Sequence, residues 1–261
     1  MMKAFYAVVV HELLERMRDK WVLVISCLFG LLSAGVGAYG TNAAGDGATA
    51  LTGPSLVTLA SLFAPLVALM LGHDAIVGER ERNTLGLLLT LPIRRSGLVV
   101  AKFIGRSIAL AFTIFVGLGM GVLVAGEGQR STLLALIWPT LLLGMAFLSL
   151  GILLSSLVRH QLTAVSLSVA IWFLLVFFFD LGLLGAMVVS DGALPQQVVS
   201  WGVALNPAGL YRIEMMSLFG APDLFGVSLP SAVVRRLIWV LWLTVPIGLA
   251  ALRMSSQKSL R

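Results

Sequence analysis

Charge is scarce in this chain. Only 11% of its 261 residues are Asp, Glu, Lys or Arg, against about 25% in a soluble globular domain, and 59% are hydrophobic, which places the protein in a membrane. There is a single cysteine, Cys27, inside an apolar run, so neither a disulfide framework nor a Cys-based metal cluster is available. The three histidines, His11, His73 and His160, show no ligand spacing, and Met215 and Met216 read as packing residues rather than copper ligands, so no metal site is expected. No G-x-x-x-x-G-K-[ST] phosphate loop occurs, nor H-E-x-x-H, C-x-x-C or G-x-S-x-G. ATP cannot be bound by that loop here, and enzymatic chemistry by this chain alone is not expected. A match to G-x-G-x-x-G at Gly35, Gly37 and Gly40 lies at membrane depth with no strand before it, and is coincidental.

What is present is apolar length. Six runs, 21–39, 55–77, 103–125, 133–158, 162–179 and 231–252, approach or reach the roughly 20 helical residues that a bilayer core requires. The expected fold is therefore all-α, an integral membrane protein with six transmembrane helices. Residues 1–20 form an interfacial helix ahead of a six-span domain over 21–261. In that helix Tyr6, Val9, Val10, Leu13, Leu14 and Met17 make the apolar face, with His11, Glu12, Glu15, Arg18 and Asp19 opposite. The loop 40–54, rich in Gly, Ala and Thr, reads as a simple connector.

The net charge of +6 does not point to nucleic acid, because the basic residues flank apolar spans instead of lining a face with aromatics. With the N-terminus inside, fourteen of the eighteen Lys and Arg fall on the cytoplasmic side. That bias predicts a multi-pass protein of a bacterial inner membrane with both termini in the cytoplasm.

Between the second and third spans lies GERERNTLGLLLTLPIRRSGLVVAKFIGR, residues 78–106. Its apolar centre is too short to cross a bilayer, carries charge on both sides and stops at Pro92, as expected of a cytoplasmic helix that docks into another protein. Over the segment 78–95, Leu85, Leu87, Leu88 and Leu91 are the expected anchors. Glu79, Arg80, Glu81, Arg82, Thr84, Arg94 and Arg95 surround them and set orientation.

At the other side the informative residues lie in and beside an outer segment, 181–230. The fifth run continues past Asp180 to Val189, so either the helix projects onward or it breaks near Asp180 into a re-entrant piece. Asp180 is expected to pair with Arg212, Arg235 or Arg236, or to be wetted. Asn206 and Pro207 read as a cap and first helical residue, opening an amphipathic outer-surface helix with Tyr211, Met215, Leu218 and Phe219 on one face and Arg212 beside them.

This arrangement resembles the permeases of type-2 ABC exporters, in which a short coupling helix seats in a separate ATPase. The blocks HDAIVGERERNTLGLLLTLPIRRSGLVVAKFIG, WFLLVFFFDLGLL and LNPAGLYRI are similar, more narrowly, to the NosY family, membrane subunits of nitrous-oxide-reductase maturation transporters. The resemblance implies a cytoplasmic NosF-like ATPase that holds ATP and Mg²⁺, a periplasmic NosD-like β-helix protein and a second copy of the chain, amid membrane lipids. It implies a role in maturing a copper-sulfur centre; a general exporter of a lipid, peptide or drug is the alternative. The family often has Gly where this chain has Asn83, and either serves as a helix cap.

Overall fold

A computed structural model describes residues 2–42, 46–90, 92–219 and 230–256. Among them every regular element is helical. In order they are α1 (Met2–Met17), α2 (Lys20–Asn42), α3 (Asp46–Gly72), α4 (Val77–Glu81), α5 (Leu85–Leu88), α6 (Arg95–Val124), α7 (Glu127–Ala135), α8 (Ile137–Leu157), α9 (Gln161–Phe173), a π turn (Leu174–Phe178), α10 (Phe179–Val189), α11 (Gln196–Leu205), α12 (Pro207–Leu218) and α13 (Ala232–Ser256). Six stretches are long and apolar enough to cross a membrane: Val22–Tyr39, Thr52–Glu81, Arg95–Val124, Leu133–Leu157, Gln161–Val189 and Ala232–Ser256. In such a solvent helices are favoured because each satisfies its own backbone.

The span α3 is central, with α2, α6, α8, α9 and α12 packed around it. Close approach depends on small residues. Gly72 of α3 and Gly151 of α8 meet so tightly that a Cβ on Gly72 would lie 2.9 Å from the Gly151 Cα. Gly117 and Gly121 of α6 receive Phe29 and Ser33 of α2 in the same way, so this four-residue pair is a contact within the chain. Ala164 and Ser168 of α9 are likewise buried.

Three sequence expectations need correction. The connector 40–54 is mostly helix: α2 runs to Asn42 and α3 starts at Asp46, taking in Pro54. Gly and Thr composition signals a loop in water, but where backbone groups lack water the helix continues. In α1 the buried side is Val8, Val9, Glu12 and Arg16, while Tyr6 and Leu14 are exposed. Periodicity puts Glu12 on the polar face, and it turns inward because α6 offers it two cations, Lys102 and Arg106.

Helix Pro207–Leu218 does not lie on the surface. Asn206 Nδ2 donates to the Leu175 carbonyl at 2.7 Å, and Trp242 Nε1 donates to the Leu205 carbonyl at 3.0 Å. Leu175 lies about 21 Å along the fifth span and Trp242 about 15 Å along the last, at roughly 1.5 Å per residue. The α11–α12 hairpin therefore enters the bundle to the middle of both spans. This is the re-entrant element, and it sits beyond the fifth span instead of at Asp180, where the helix runs on to Val189. Asn206 makes the depth tolerable: its Oδ1 caps Ala208 N at 3.1 Å while its amide holds the π turn.

Candidate functional site

The segment between α3 and α6 forms two short helices instead of one. Asn83 breaks them with φ of 57°, a left-handed conformation. It is a hinge residue and not a cap, and Gly would adopt the same conformation without a Cβ penalty. Thr84 follows as the α5 N-cap position and makes no side-chain capping bond, its hydroxyl turning instead to the Glu79 carbonyl at 3.3 Å.

The free N-terminal amides of α4 are satisfied from another helix. Ser155 of α8, fully buried, accepts from Ile76 N at 2.9 Å and Val77 N at 3.0 Å. The charged residues of α4 are also engaged within the chain. Glu79 pairs with Lys102, and Arg80 donates to the Val158 carbonyl at 2.7 Å. Glu81 accepts from Gln161 N at 2.9 Å, and Arg82 reaches Glu15 at 3.2 Å. Arg95, at the start of α6, donates to the Met254 carbonyl at 3.3 Å, and Arg94 just before it is exposed. Together these contacts fix α4 to α1, α6 and the α8–α9 turn.

The leucines divide by direction. Leu85 is 4% exposed and belongs to the chain's own core, Leu88 is half-buried, and Leu87 is 76% exposed. Leu91 lies outside the described residues. Among the described leucines of this element, the open apolar contact is thus Leu87.

Beneath α4 lies a buried ion network that sequence periodicity missed. Glu12 of α1 bonds Lys102 and, at 2.8 Å, Arg106. Arg106 also bonds Asp74 at 2.6 Å and the Leu71 carbonyl. Asp74 accepts from Arg16 at 2.9 Å, and Lys102 closes the circuit to Glu79. Three carboxylates thus face three cations. Lys102 is fully buried and Arg106 nearly so, which only such matching permits. Burial pushes the Glu12 carboxyl up, but the Arg106 and Lys102 charges beside it hold it down at about 2. The signal in sequence was the placement of Lys102 and Arg106 four apart on one helical face, inside an otherwise apolar run. His11, Glu12 and Glu15 bring ligand-capable atoms within 4.8 Å of one another, but both Glu12 oxygens are taken by this network.

At the opposite end, Asp180 is bonded to Arg212 at 2.5 Å, while Arg235 pairs with Glu214. Tyr211 is fully buried against Thr140 at 2.7 Å, and Pro207 and Met215 are buried with it. Leu218 is exposed and Phe219 half-buried, its ring against Gly53. The residues from Asn206 to Met215 therefore join the hairpin to α3, α8 and the fifth span, and only its far end reaches outward.

A family model for ABC-2 family transporter proteins matches residues 6–258. The chain belongs to the ABC-2 transporter family. Two curated relatives carry the name probable ABC transporter permease protein NosY. The one from Pseudomonas aeruginosa is 38% identical over 266 residues, covering 95% of this chain and 97% of the relative. The one from Stutzerimonas stutzeri is 37% identical over 244 residues, covering 89% and 88%. As an ABC-2 permease with six apolar spans, the chain is a multi-pass membrane subunit of an ABC transporter.

Proposed function

We propose that this permease transmits the work of a separate cytoplasmic ATPase to maturation of the copper-sulfur centre of nitrous oxide reductase. The observation that carries the coupling role is the α4–α5 element, which presents Leu87 outward while its charges lock it to α1, α6 and α8. Similarity to the NosY relatives along nearly the whole chain supports the maturation pathway. ATP and Mg²⁺ act in the NosF-like ATPase, two of which face two copies of this chain, in an inner membrane with α4, α5 and both termini on the cytoplasmic side.

Closure of the ATPases moves α5 through Leu87, with Leu88 beside it, and Arg94 and the exposed edge of Arg82 setting orientation. Because Glu79 holds Lys102 and Asp74 holds Arg106, displacement of α4 carries α6 and the end of α3 with it. α3 packs on α12, so the motion arrives at the hairpin. There Asn206, Tyr211 and the Asp180–Arg212 pair fix the hairpin to the spans, and Leu218 and Phe219 at its far end meet a periplasmic NosD-like protein. Packed helices shift between discrete arrangements, which makes this transmission switch-like. The output is export of a sulfur species or reshaping of the copper-handling partner.

Deleting the chain and measuring copper and sulfide in purified nitrous oxide reductase tests the proposal. A reductase lacking its copper-sulfur centre is expected; normal centres refute the pathway assignment.

A further inference from the structure

The turn between α1 and α2 borders a cavity of about 630 Å³, within the range of about 300–1,000 Å³ typical of small-ligand sites. Its lining is mixed. Val22 and Ile25 in the first turns of α2 and Val67 and Met70 in the last turns of α3 make an apolar wall. The buried Arg16 and Asp74 lie with it, and the exposed Arg18 and Arg82 stand at the mouth beside Glu15 and Asp19. Because Val22 opens one membrane span and Met70 lies near the end of α3, just before the charged α4, the apolar wall faces the bilayer edge and the charges lie towards headgroup level.

Two of the arginines have donors to spare. The Arg16 side chain is 7% exposed, bonds Asp74 through Nη2 and lies 3.3 Å from Glu15 and 3.6 Å from Asp19, yet its Nε is buried without an acceptor. A buried donor left unmade is costly, so it points to an acceptor supplied from elsewhere. Arg18, at the mouth and exposed, makes no ion pair among the described residues.

We propose that this cavity binds the headgroup of a membrane phospholipid. The phosphate is held by Arg16 and Arg18 through charge-assisted bonds, and the first carbons of the acyl chains lie on Val22, Ile25, Val67 and Met70. Glu15 and Asp19 share the lining with the arginines, so the fitting head is zwitterionic: the ammonium of phosphatidylethanolamine meets these carboxylates. A free phosphate would leave the apolar wall facing water, which is why the lipid is the better occupant. Seated there, the lipid would brace the α1–α2 turn against α3, beside the ion network.

The test uses the full chain purified in mild detergent. Mass spectrometry of extracted lipid is expected to find about one phosphatidylethanolamine retained per chain, and Arg18→Glu to weaken retention about tenfold, the loss of one charge-assisted contact. After delipidation, short-chain phosphatidylethanolamine should raise the unfolding temperature by several degrees while inorganic phosphate leaves it unchanged. An equal rise with phosphate alone would make this a free-anion site and overturn the lipid assignment. An equal rise with phosphatidylglycerol would overturn the zwitterionic one. Should Arg18→Glu fail to fold, the wild-type comparison of lipid, phosphatidylglycerol and phosphate decides by itself, and no response to any lipid refutes the proposal.

Discussion

Glu12 shows how one carboxylate can join two helices, since it faces Lys102 and Arg106 across the α1–α6 contact. Removing one member of a buried charge pair typically costs roughly 3–5 kcal/mol. Glu12→Gln should fall near the low end, because Lys102 retains Glu79 and Arg106 retains Asp74. Thermal unfolding in detergent checks this, with an unchanged midpoint as the contrary result. The pH dependence has a definite sign. The folded-state pKa of Glu12 is about 2, below its ordinary 4.5, so its stabilising contribution is fully present above about 4.5 and is lost as pH falls towards 2. Unfolding midpoints should hold between neutrality and pH 5, then decline below 4.5, and the decline should be shallower in Glu12→Gln.

Two smaller residues matter for reasons that composition hides. Ser155→Ala would leave the buried amides of Ile76 and Val77 without an acceptor. The expected loss is about 1–3 kcal/mol, visible as faster hydrogen exchange confined to α4. At Asn83, φ of 57° favours Gly and opposes branched side chains. Asn83→Gly should keep full stability while Asn83→Val loses about 1–2 kcal/mol; equal midpoints for the two variants would refute a left-handed hinge.

Among the elements, α5 separates docking from folding most cleanly. Leu87 is exposed, so Leu87→Asp should leave unfolding unchanged and yet abolish co-purification of the ATPase, whereas Leu85→Asp should destroy the fold itself. Retention of the ATPase by Leu87→Asp would remove the docking role. Glu79 is less informative as a docking probe, since Glu79→Arg places a second cation beside Lys102. The α3–α8 crossing provides a structural control. Gly151→Leu would drive a side chain into the Gly72 backbone, and overpacking of this kind costs about 1–3 kcal/mol. It should lower stability without altering lipid retention at the α1–α2 cavity.

For the molecule as a whole, low charge and six apolar runs were sufficient to read an all-α membrane bundle, because a span must be about 20 apolar residues long whatever surrounds it. That the segment between the second and third spans is too short for the bilayer and bounded by charge was equally legible, although it forms two short helices instead of one. Direction was not. Periodicity puts Tyr6, Val9, Val10, Leu13, Leu14 and Met17 on the apolar face of α1; Val9 is buried, but Tyr6 and Leu14 are exposed and the buried side carries Glu12 and Arg16, since periodicity cannot register a cation waiting on another helix. The outer amphipathic helix proved to be half of a re-entrant hairpin for the same reason: Leu175 and Trp242, its partners, lie 31 and 37 residues from the positions they hold. Local chemistry thus determined which segments are long and apolar enough to enter a membrane and which one is not. The tertiary structure alone decided which charges cancel, which leucine faces out and where the hairpin reaches, because each depends on groups brought together only when the spans pack.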